Sequence, residues 1–276
     1  VFRRSIRSGH EIGATLAIEY QGQMIVNLWG GYRDRHRKQA WAEDTIVNVF
    51  SVTKGVVAIC AARLVEQGKL DLQETVSHYW PEYGCEGKGA TKVFELLSHR
   101  AAMHGFRDTI PDGSWQDWEF FTRLLERQRP FGVPGAKQSY HALTFGWLVG
   151  ELIRRVDGRS VGNYFRDEFA RPLHLDFKIG LDRSDIARCA DKEMFRTSKI
   201  FPTIDFVRYL PDLILPRARK NIKDAVCSGD FHAAFPVTFD PSATVNSESW
   251  RLAEIPAANG HGTAASLATL YGLISN

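Results

Sequence analysis

The sequence has few cysteines, and their spacing excludes two common uses of that residue. Cys60, Cys85, Cys189 and Cys227 are widely separated, and no C-x-x-C pair occurs among the 276 residues. This spacing argues against a zinc site and against a disulfide scaffold. An N-x-S/T glycosylation acceptor is absent, and no signal peptide is visible, although the chain begins at Val1 without an initiator methionine. These absences favour a reducing, cytoplasmic location.

Long apolar runs and a strong net charge are also missing. The longest apolar run falls far short of the ~20 residues that cross a bilayer, so we expect no membrane span. The formal net charge is only +3, and the basic clusters FRRSIR, RDRHRK and PRARK are scattered along the chain. Such clusters are solvated surface more often than nucleic-acid contacts. We therefore expect no nucleic-acid partner, and no motif indicates a metal or a cofactor.

A hairpin and a helix are predicted early in the chain. The segment GATLAIEYQGQMIVNLWGGYRD, residues 13–34, alternates as two strands do, with a turn at Gln21-Gly22. A helical pattern then runs from Ser51 to Gln67. It ends at Gly68, because glycine is common just beyond a helix C-terminus.

Helical patterns dominate the middle of the chain. They cover residues 91–177, whereas residues 181–245 have no clear period and residues 262–276 form a last amphipathic stretch. Strands followed by helices, without an internal repeat, predict an α+β fold in a single domain over residues 1–276. We assign an α/β lobe to residues 1–90 and 246–276, and an inserted all-helical lobe to residues 91–245.

Two polar side chains stand at the start of the otherwise apolar helix. Ser51 and Lys54 are three residues apart and therefore share one helix face. A lysine in the first turn of a buried helix is partly desolvated and meets the positive end of the helix dipole. Both effects lower the pKa of its amine. Such an amine can serve as general base for a serine nucleophile, and the Ser51 N–H at the helix N-terminus can stabilise an oxyanion.

The same pattern also has a purely structural interpretation. S-x-x-K arises by chance about once in a chain of this length, so the tetrapeptide alone is a weak signal. Ser51 could simply cap the helix, and the Lys54 side chain could extend to water.

The surrounding sequence favours the catalytic interpretation. NVFSVTKGVVAICAARLVEQGKLDLQETVSHYWPE resembles the active-serine helix of the serine β-lactamase and penicillin-binding-protein superfamily, and is most similar to class C β-lactamase-like esterases. Four further segments match that superfamily in the same order: VFELLSHRAAMHG, PFGVPGAKQSYHALTFGWLVGELI, ARPLHLDFKIGL and ANGHGTAASLATLY. The resemblance runs from Gly13 to the C-terminus. It implies an antiparallel sheet flanked by helices, with an inserted helical lobe.

The resemblance assigns roles to three residues. By position, Ser51 is the nucleophile, Lys54 its partner and Tyr140 the tyrosine of the family's Y-x-N motif. A phenol near a lysine can be held as phenolate or can share its proton with the amine. Tyr140 would then relay the serine proton to the leaving group. Without the resemblance, a tyrosine just before a helix indicates packing or capping more often than catalysis.

One departure from the family concerns the substrate. The asparagine of the Y-x-N motif is Ala142 here, and His141 lies between it and Tyr140. In β-lactamases that asparagine hydrogen-bonds the amide side chain of the antibiotic, which a methyl group cannot do. We therefore expect an ester or another acyl substrate in preference to a β-lactam. His141 could contact the substrate, but we favour its interpretation as a surface or packing residue.

A second departure is the absence of a K-T-G motif. We assign the tripeptide HGT, residues 261–263, to the start of the last helix and not to a strand. The family's K-T-G-like strand follows that helix. We therefore expect the C-terminal strands, and with them the second oxyanion donor, to lie beyond this chain.

Two rival interpretations remain. GRSVG, residues 158–162, is a literal G-x-S-x-G motif, but a nucleophile elbow needs a preceding strand, and here the preceding pattern is helical. Ser160 is therefore expected to cap the next helix. The other rival is a non-catalytic family member that serves as a scaffold or binding module.

The sequence thus predicts a serine acyl hydrolase. It would act through a Ser51 acyl-enzyme on small esters, amides or lactones, with a small acyl compound as its substrate. Residues 181–245 are expected to line the substrate pocket.

Overall fold

The computed structural model describes residues 1–193, 233–234 and 243–275. Cys227 and most of the segment 181–245, which we expected to line the pocket, lie outside these residues. Within them, Cys60, Cys85 and Cys189 are free thiols.

The N-terminal part consists of a short helix and a hairpin: α1 (Phe2–Arg7), β1 (Gly13–Tyr20) and β2 (Gln23–Gly31). The two strands pair antiparallel, with an irregularity between Ile18 and Glu19. Gln21 and Gly22 both have positive φ angles, 50° and 75°, as the two central residues of a type I′ hairpin turn do. The predicted hairpin is therefore confirmed, including the position of its turn.

The predicted helix after Ser51 is also present. A two-residue strand, β3 (Val47–Asn48), leads into α2 (Val52–Glu66). The helix ends next to Gly68, whose φ of 69° is the left-handed conformation that glycine adopts at little cost. Most apolar side chains of α2 are buried in the main core, because α2 packs against two helices from later in the chain.

Short helices and one long one make up the middle of the chain. They are α3 (Val76–Tyr79), α4 (Val93–Leu97), α5 (Trp118–Arg127), α6 (Thr144–Asp157) and α7 (Val161–Phe165). Every residue of α6 from Thr144 to Ile153 is buried, and α6 packs against both α2 and α5. Trp147 of α6 stacks on Phe121 of α5 with their ring centroids 3.9 Å apart. This helix is the centre of the helical layer.

A second sheet forms from residues distant in sequence. Its strands are β3, β4 (Phe177–Ile179) and β5 (Gly260–Gly262), in the order β3-β5-β4, and both pairings are antiparallel. Helix α8 (Glu248–Leu252) precedes β5, and α9 (Ala264–Ser275) follows it and packs against β1. Among the described residues, none of the helices combines the length and the apolar character needed to cross a membrane.

The strand β5 corrects one prediction. His261 and Gly262 lie in β5, so their assignment to the start of the last helix was wrong, and that helix begins at Ala264. Glycine has a low strand propensity, so the local sequence carries no strand signal. Glycine is needed here because the Phe177 ring packs over both Gly260 and Gly262, where a Cβ atom would lie 2.5 Å from a ring atom. The strand β4 (Phe177–Ile179) lies within residues 91–245, so the description of that range as all-helical was wrong.

The close packing at β5 leads to a stability prediction. In Gly260→Ala, the new methyl group would lie 2.5 Å from Phe177 Cζ and 2.7 Å from Thr53 Oγ1. We expect a loss of about 1–3 kcal/mol in the free energy of unfolding, as is usual for an overpacked core. Gly132→Ala is the matched control, because nothing lies within 4 Å of a Cβ atom there. Urea unfolding measures the free energy of unfolding of the two full-length variants. Equal values for Gly260→Ala and Gly132→Ala would contradict this packing account.

Candidate active site

Ser51 is presented to solvent at the start of α2. The residue before it, Phe50, has a φ of 47°, a left-handed conformation that is strained for a bulky side chain. Ser51 is the N-cap residue of α2, but its side chain makes no capping hydrogen bond. Its Oγ instead lies 3.2 Å from Lys54 Nζ. Helix capping therefore does not explain this hydroxyl.

Lys54 lies behind the serine and is almost fully buried, with 7% of its surface exposed. Its Nζ donates hydrogen bonds to two backbone carbonyls, Ala142 O at 2.7 Å and Ala257 O at 2.8 Å. The alternative in which Lys54 extends to water is therefore wrong. Burial disfavours the charged ammonium and lowers the pKa of Lys54 to about 7.

The two carbonyls also orient the amine. A neutral amine has two N–H bonds and one lone pair, and carbonyl oxygens can only accept hydrogen bonds. With one N–H directed to Ala142 O and the other to Ala257 O, the lone pair is left for the hydroxyl of Ser51. This geometry suits removal of a proton from the Ser51 Oγ.

Tyr140 lies at the same site, in the connection between α5 and α6. Its ring centroid is 4.9 Å from Lys54 Nζ, and 48% of its surface is exposed. The ring of His99 also packs against the Tyr140 ring, with a centroid distance of 4.8 Å. The structure therefore brings Ser51, Lys54 and Tyr140 together, with Lys54 buried beneath two solvent-accessible hydroxyl-bearing residues.

Buried asparagines hold the segment that supplies one of the two carbonyls. Asn259 Nδ2 donates to Trp250 O and Ala253 O, and its Oδ1 accepts from the Ile255 N–H. Asn48 Nδ2 donates to Ala258 O, next to the carbonyl that Lys54 uses. Sequence reasoning missed both asparagines, although polar residues within otherwise apolar surroundings are a usable signal.

The two residues that follow Tyr140, His141 and Ala142, are both buried. Ala142 contributes its carbonyl to Lys54, and its methyl group is buried. His141 is fully buried, donates from Nδ1 to Ser139 O at 2.6 Å and accepts at Nε2 from the Met103 N–H at 3.1 Å. Burial lowers the pKa of His141 to about 3. His141 is thus a packing residue and not a surface one.

Ser160 has the helix-capping position that the helical pattern predicts. It is the N-cap of α7, and its Oγ accepts a hydrogen bond from the Asn163 N–H. Its hydroxyl donates to Glu254 Oε1 at 2.6 Å, while Glu254 Oε2 accepts from the Gly162 N–H. The residue precedes a helix but follows α6 and not a strand. The nucleophile-elbow interpretation of GRSVG is therefore wrong.

The site thus combines a hydroxyl and an amine, from Ser51 and Lys54, with the aromatic ring of Tyr140 next to the amine. In the described ranges, no three side chains of His, Cys, Asp or Glu are grouped as metal ligands.

Comparison with known proteins assigns the family. The class defined by the fold and by the Ser51–Lys54 pair is that of β-lactamase/transpeptidase-like proteins, and residues 1–276 match the Beta-lactamase family. The chain therefore belongs to the Beta-lactamase family. It is 34% identical to the esterase/beta-lactamase LipL of Mycobacterium tuberculosis over 269 residues, which are 96% of this chain and 58% of LipL.

Two solved structures resemble this chain over nearly its whole length. A family VIII carboxylesterase is 32% identical with a TM-score of 0.84, covering 100% of this chain and 68% of that protein. A penicillin-binding protein homologue from Caulobacter crescentus is 35% identical with a TM-score of 0.82, and the match covers 99% of this chain and 67% of that protein. This chain thus spans a little over half of LipL and about two thirds of the solved relatives.

The burial of Lys54 predicts a pH dependence of stability. Its pKa is about 7 in the folded protein, against 10.5 for an exposed lysine, so between these values the unfolded chain binds more protons. Stability from this group therefore rises with pH across that window, by up to about 1.4 kcal/mol per pH unit. Below pH 7 the folded protein has to bury a charged ammonium.

Comparison with Lys54→Met isolates this effect. Urea unfolding at pH 7 and pH 9 should show wild type gaining stability relative to Lys54→Met as the pH rises. A difference between the two proteins that stays constant with pH would contradict a lowered pKa for Lys54.

Proposed function

We propose that this protein is a serine acyl hydrolase in which Ser51 is the nucleophile, Lys54 its general base and Tyr140 a proton relay, acting on small carboxylic esters. The observation that carries this proposal is the buried Lys54 amine, whose two carbonyl partners leave its lone pair for the Ser51 hydroxyl. The similarity to LipL and to a family VIII carboxylesterase supports the same class of reaction.

Acylation follows from this geometry. Lys54 removes the proton from Ser51 Oγ as that oxygen attacks the carbonyl carbon of the ester, and a tetrahedral oxyanion forms. The Ser51 N–H, at the N-terminus of α2, is placed to stabilise the negative charge. The proton passes from Lys54 through the Tyr140 hydroxyl to the leaving alkoxide, the bond between acyl carbon and leaving oxygen breaks, and an alcohol departs.

Deacylation uses the same groups in reverse. Water attacks the acyl carbon of the Ser51 ester and loses its proton to the Lys54–Tyr140 pair. The bond from the acyl carbon to Ser51 Oγ breaks, and the pair returns its proton to that oxygen. The products are a carboxylic acid and the free enzyme, ready for a second cycle.

An ester is the favoured substrate because of position 142. The buried methyl group of Ala142 offers no hydrogen-bonding group to a substrate, and its carbonyl is already occupied by Lys54. A β-lactam antibiotic carries a side-chain amide that gains from such a partner, whereas a simple ester has no amide to satisfy.

Covalent labelling tests the assignment of the nucleophile. The full-length protein is treated with a fluorophosphonate probe and with a fluorescent penicillin, and the modified residue is located by mass spectrometry. We expect the fluorophosphonate probe to label Ser51 covalently. The Ser51→Ala variant should remain folded but should lose both labelling and ester turnover.

Ser160→Ala is the matched control for this experiment. It should keep labelling and turnover, and should lose about 1 kcal/mol of stability because a helix cap is removed. Labelling that survives Ser51→Ala but disappears in Ser160→Ala would overturn the assignment. A folded full-length protein that neither labels nor hydrolyses any ester would instead identify a non-catalytic member of the family.

Substrate preference is a separate prediction. We expect kcat/KM for short p-nitrophenyl esters to exceed that for nitrocefin by at least about 10²-fold, since no side-chain amide at position 142 binds the lactam side chain. Steady-state kinetics with both compounds at one pH measure the ratio. Comparable values for the two substrates would refute the preference for esters.

A further inference from the structure

In the loop that carries Tyr140, the residue on each side of Tyr140 is hydrogen-bonded to His99 through its backbone N–H. The Ser139 N–H donates to His99 O at 2.9 Å. The His141 N–H donates to the imidazole Nδ1 of His99 at 3.2 Å. Between these bonds, the Tyr140 ring packs on the His99 ring.

The backbone conformation of His99 does not account for a histidine at this position. His99 follows the end of α4 and has a φ of 61°. Glycine and asparagine are the most common residues at such a left-handed position beyond a helix C-terminus, and histidine is tolerated there. The backbone therefore permits the imidazole without requiring it, and its contacts show what the side chain does.

The contacts of His99 require a neutral ring. Its Nδ1 accepts a hydrogen bond, so this nitrogen carries no proton. The titratable groups that face it are Lys54 from α2 and Tyr140 and His141 from the loop, and Phe145 of α6 packs on its ring. Burial, reinforced by Lys54, lowers the pKa of His99 to about 4.

We propose that His99 is a positioning residue for Tyr140, acting through the hydrogen bond that its Nδ1 accepts from the His141 N–H. The inference rests on the proposed function, in which Tyr140 relays a proton to the leaving group. The phenol is half exposed and lies in a loop, so the placement of its oxygen depends on how firmly the flanking residues are held. A displacement of about 1 Å at a reacting group costs about 10²-fold in rate.

The experiment compares His99→Gly with His99→Asn in the full-length protein. Glycine tolerates a φ of 61° and removes the imidazole without backbone strain, so this variant is expected to fold. Asparagine also tolerates this conformation, and its Oδ1 occupies the position of Nδ1 and restores the acceptor. Thermal unfolding confirms that both variants are folded before kinetics are measured.

The readout is the ratio of kcat/KM for two acetyl esters, p-nitrophenyl acetate and ethyl acetate. Both form the same acyl-enzyme, and kcat/KM reports acylation. p-Nitrophenolate leaves without a proton, whereas ethoxide needs one, so a misplaced relay affects ethyl acetate selectively. A merely structural loss of active protein would lower both values equally.

We expect His99→Gly to lower kcat/KM for ethyl acetate by about 10²-fold and that for p-nitrophenyl acetate by less than about 10-fold. His99→Asn should recover most of the loss. In a Tyr140→Phe background, His99→Gly should cause no further loss, because the two residues act through one group.

Three results would overturn the inference: equal losses on both esters, additive losses in the Tyr140→Phe background, or His99→Asn no better than His99→Gly. The control Tyr140→Phe separates this failure from failure of the proposed function. If Tyr140→Phe itself does not discriminate between the two esters, the relay role of Tyr140 is wrong, and the positioning role of His99 falls with it.

Discussion

The burial of one amine is the constraint on which the rest of the site depends. Lys54 sits in the first turn of a helix whose buried residues beyond that turn are apolar, and main-chain carbonyls are its partners. A carboxylate partner would have held the ammonium charged, whereas neutral carbonyl dipoles compensate burial only in part. The pKa of Lys54 therefore falls into the range in which a base works at neutral pH.

The same amine joins three parts of the chain that are far apart in sequence. Ala142 and Ala257 are 88 and 203 residues from Lys54, and each carbonyl needs its own support. Helix α6 approaches the second segment closely at Gly146, where a Cβ atom would lie 2.6 Å from Ala257 N. Strand β5 continues that support, since the Gly260 N–H donates to Thr53 Oγ1 next to Lys54. The small sheet and the helical layer thus pack against each other at this site.

Local patterns in the sequence predict those structural elements that are determined by residues close together in the chain. The hairpin, α2 and the shared face of Ser51 and Lys54 follow from alternation, helical spacing and turn residues. The strand β5 does not, because its glycines have no strand propensity and are selected by the distant ring of Phe177. The carbonyl partners of Lys54 cannot be predicted from local patterns either. Every residue has a carbonyl, and only the folded chain determines which ones contact the amine.

Main-chain groups, and not side chains, hold the proposed base. Lys54 is held through the carbonyl of Ala142, which any residue at that position would supply. The side chain at position 142 can therefore change without removing the acceptor that orients the amine. Tyr140 is held in a comparable way, because the neighbouring Ser139 and His141 are bound through their backbone N–H groups. If the proposed mechanism holds, such a site keeps its proton-transfer geometry while its substrate contacts vary, which gives a physical reason why esterases and β-lactamases can share one scaffold.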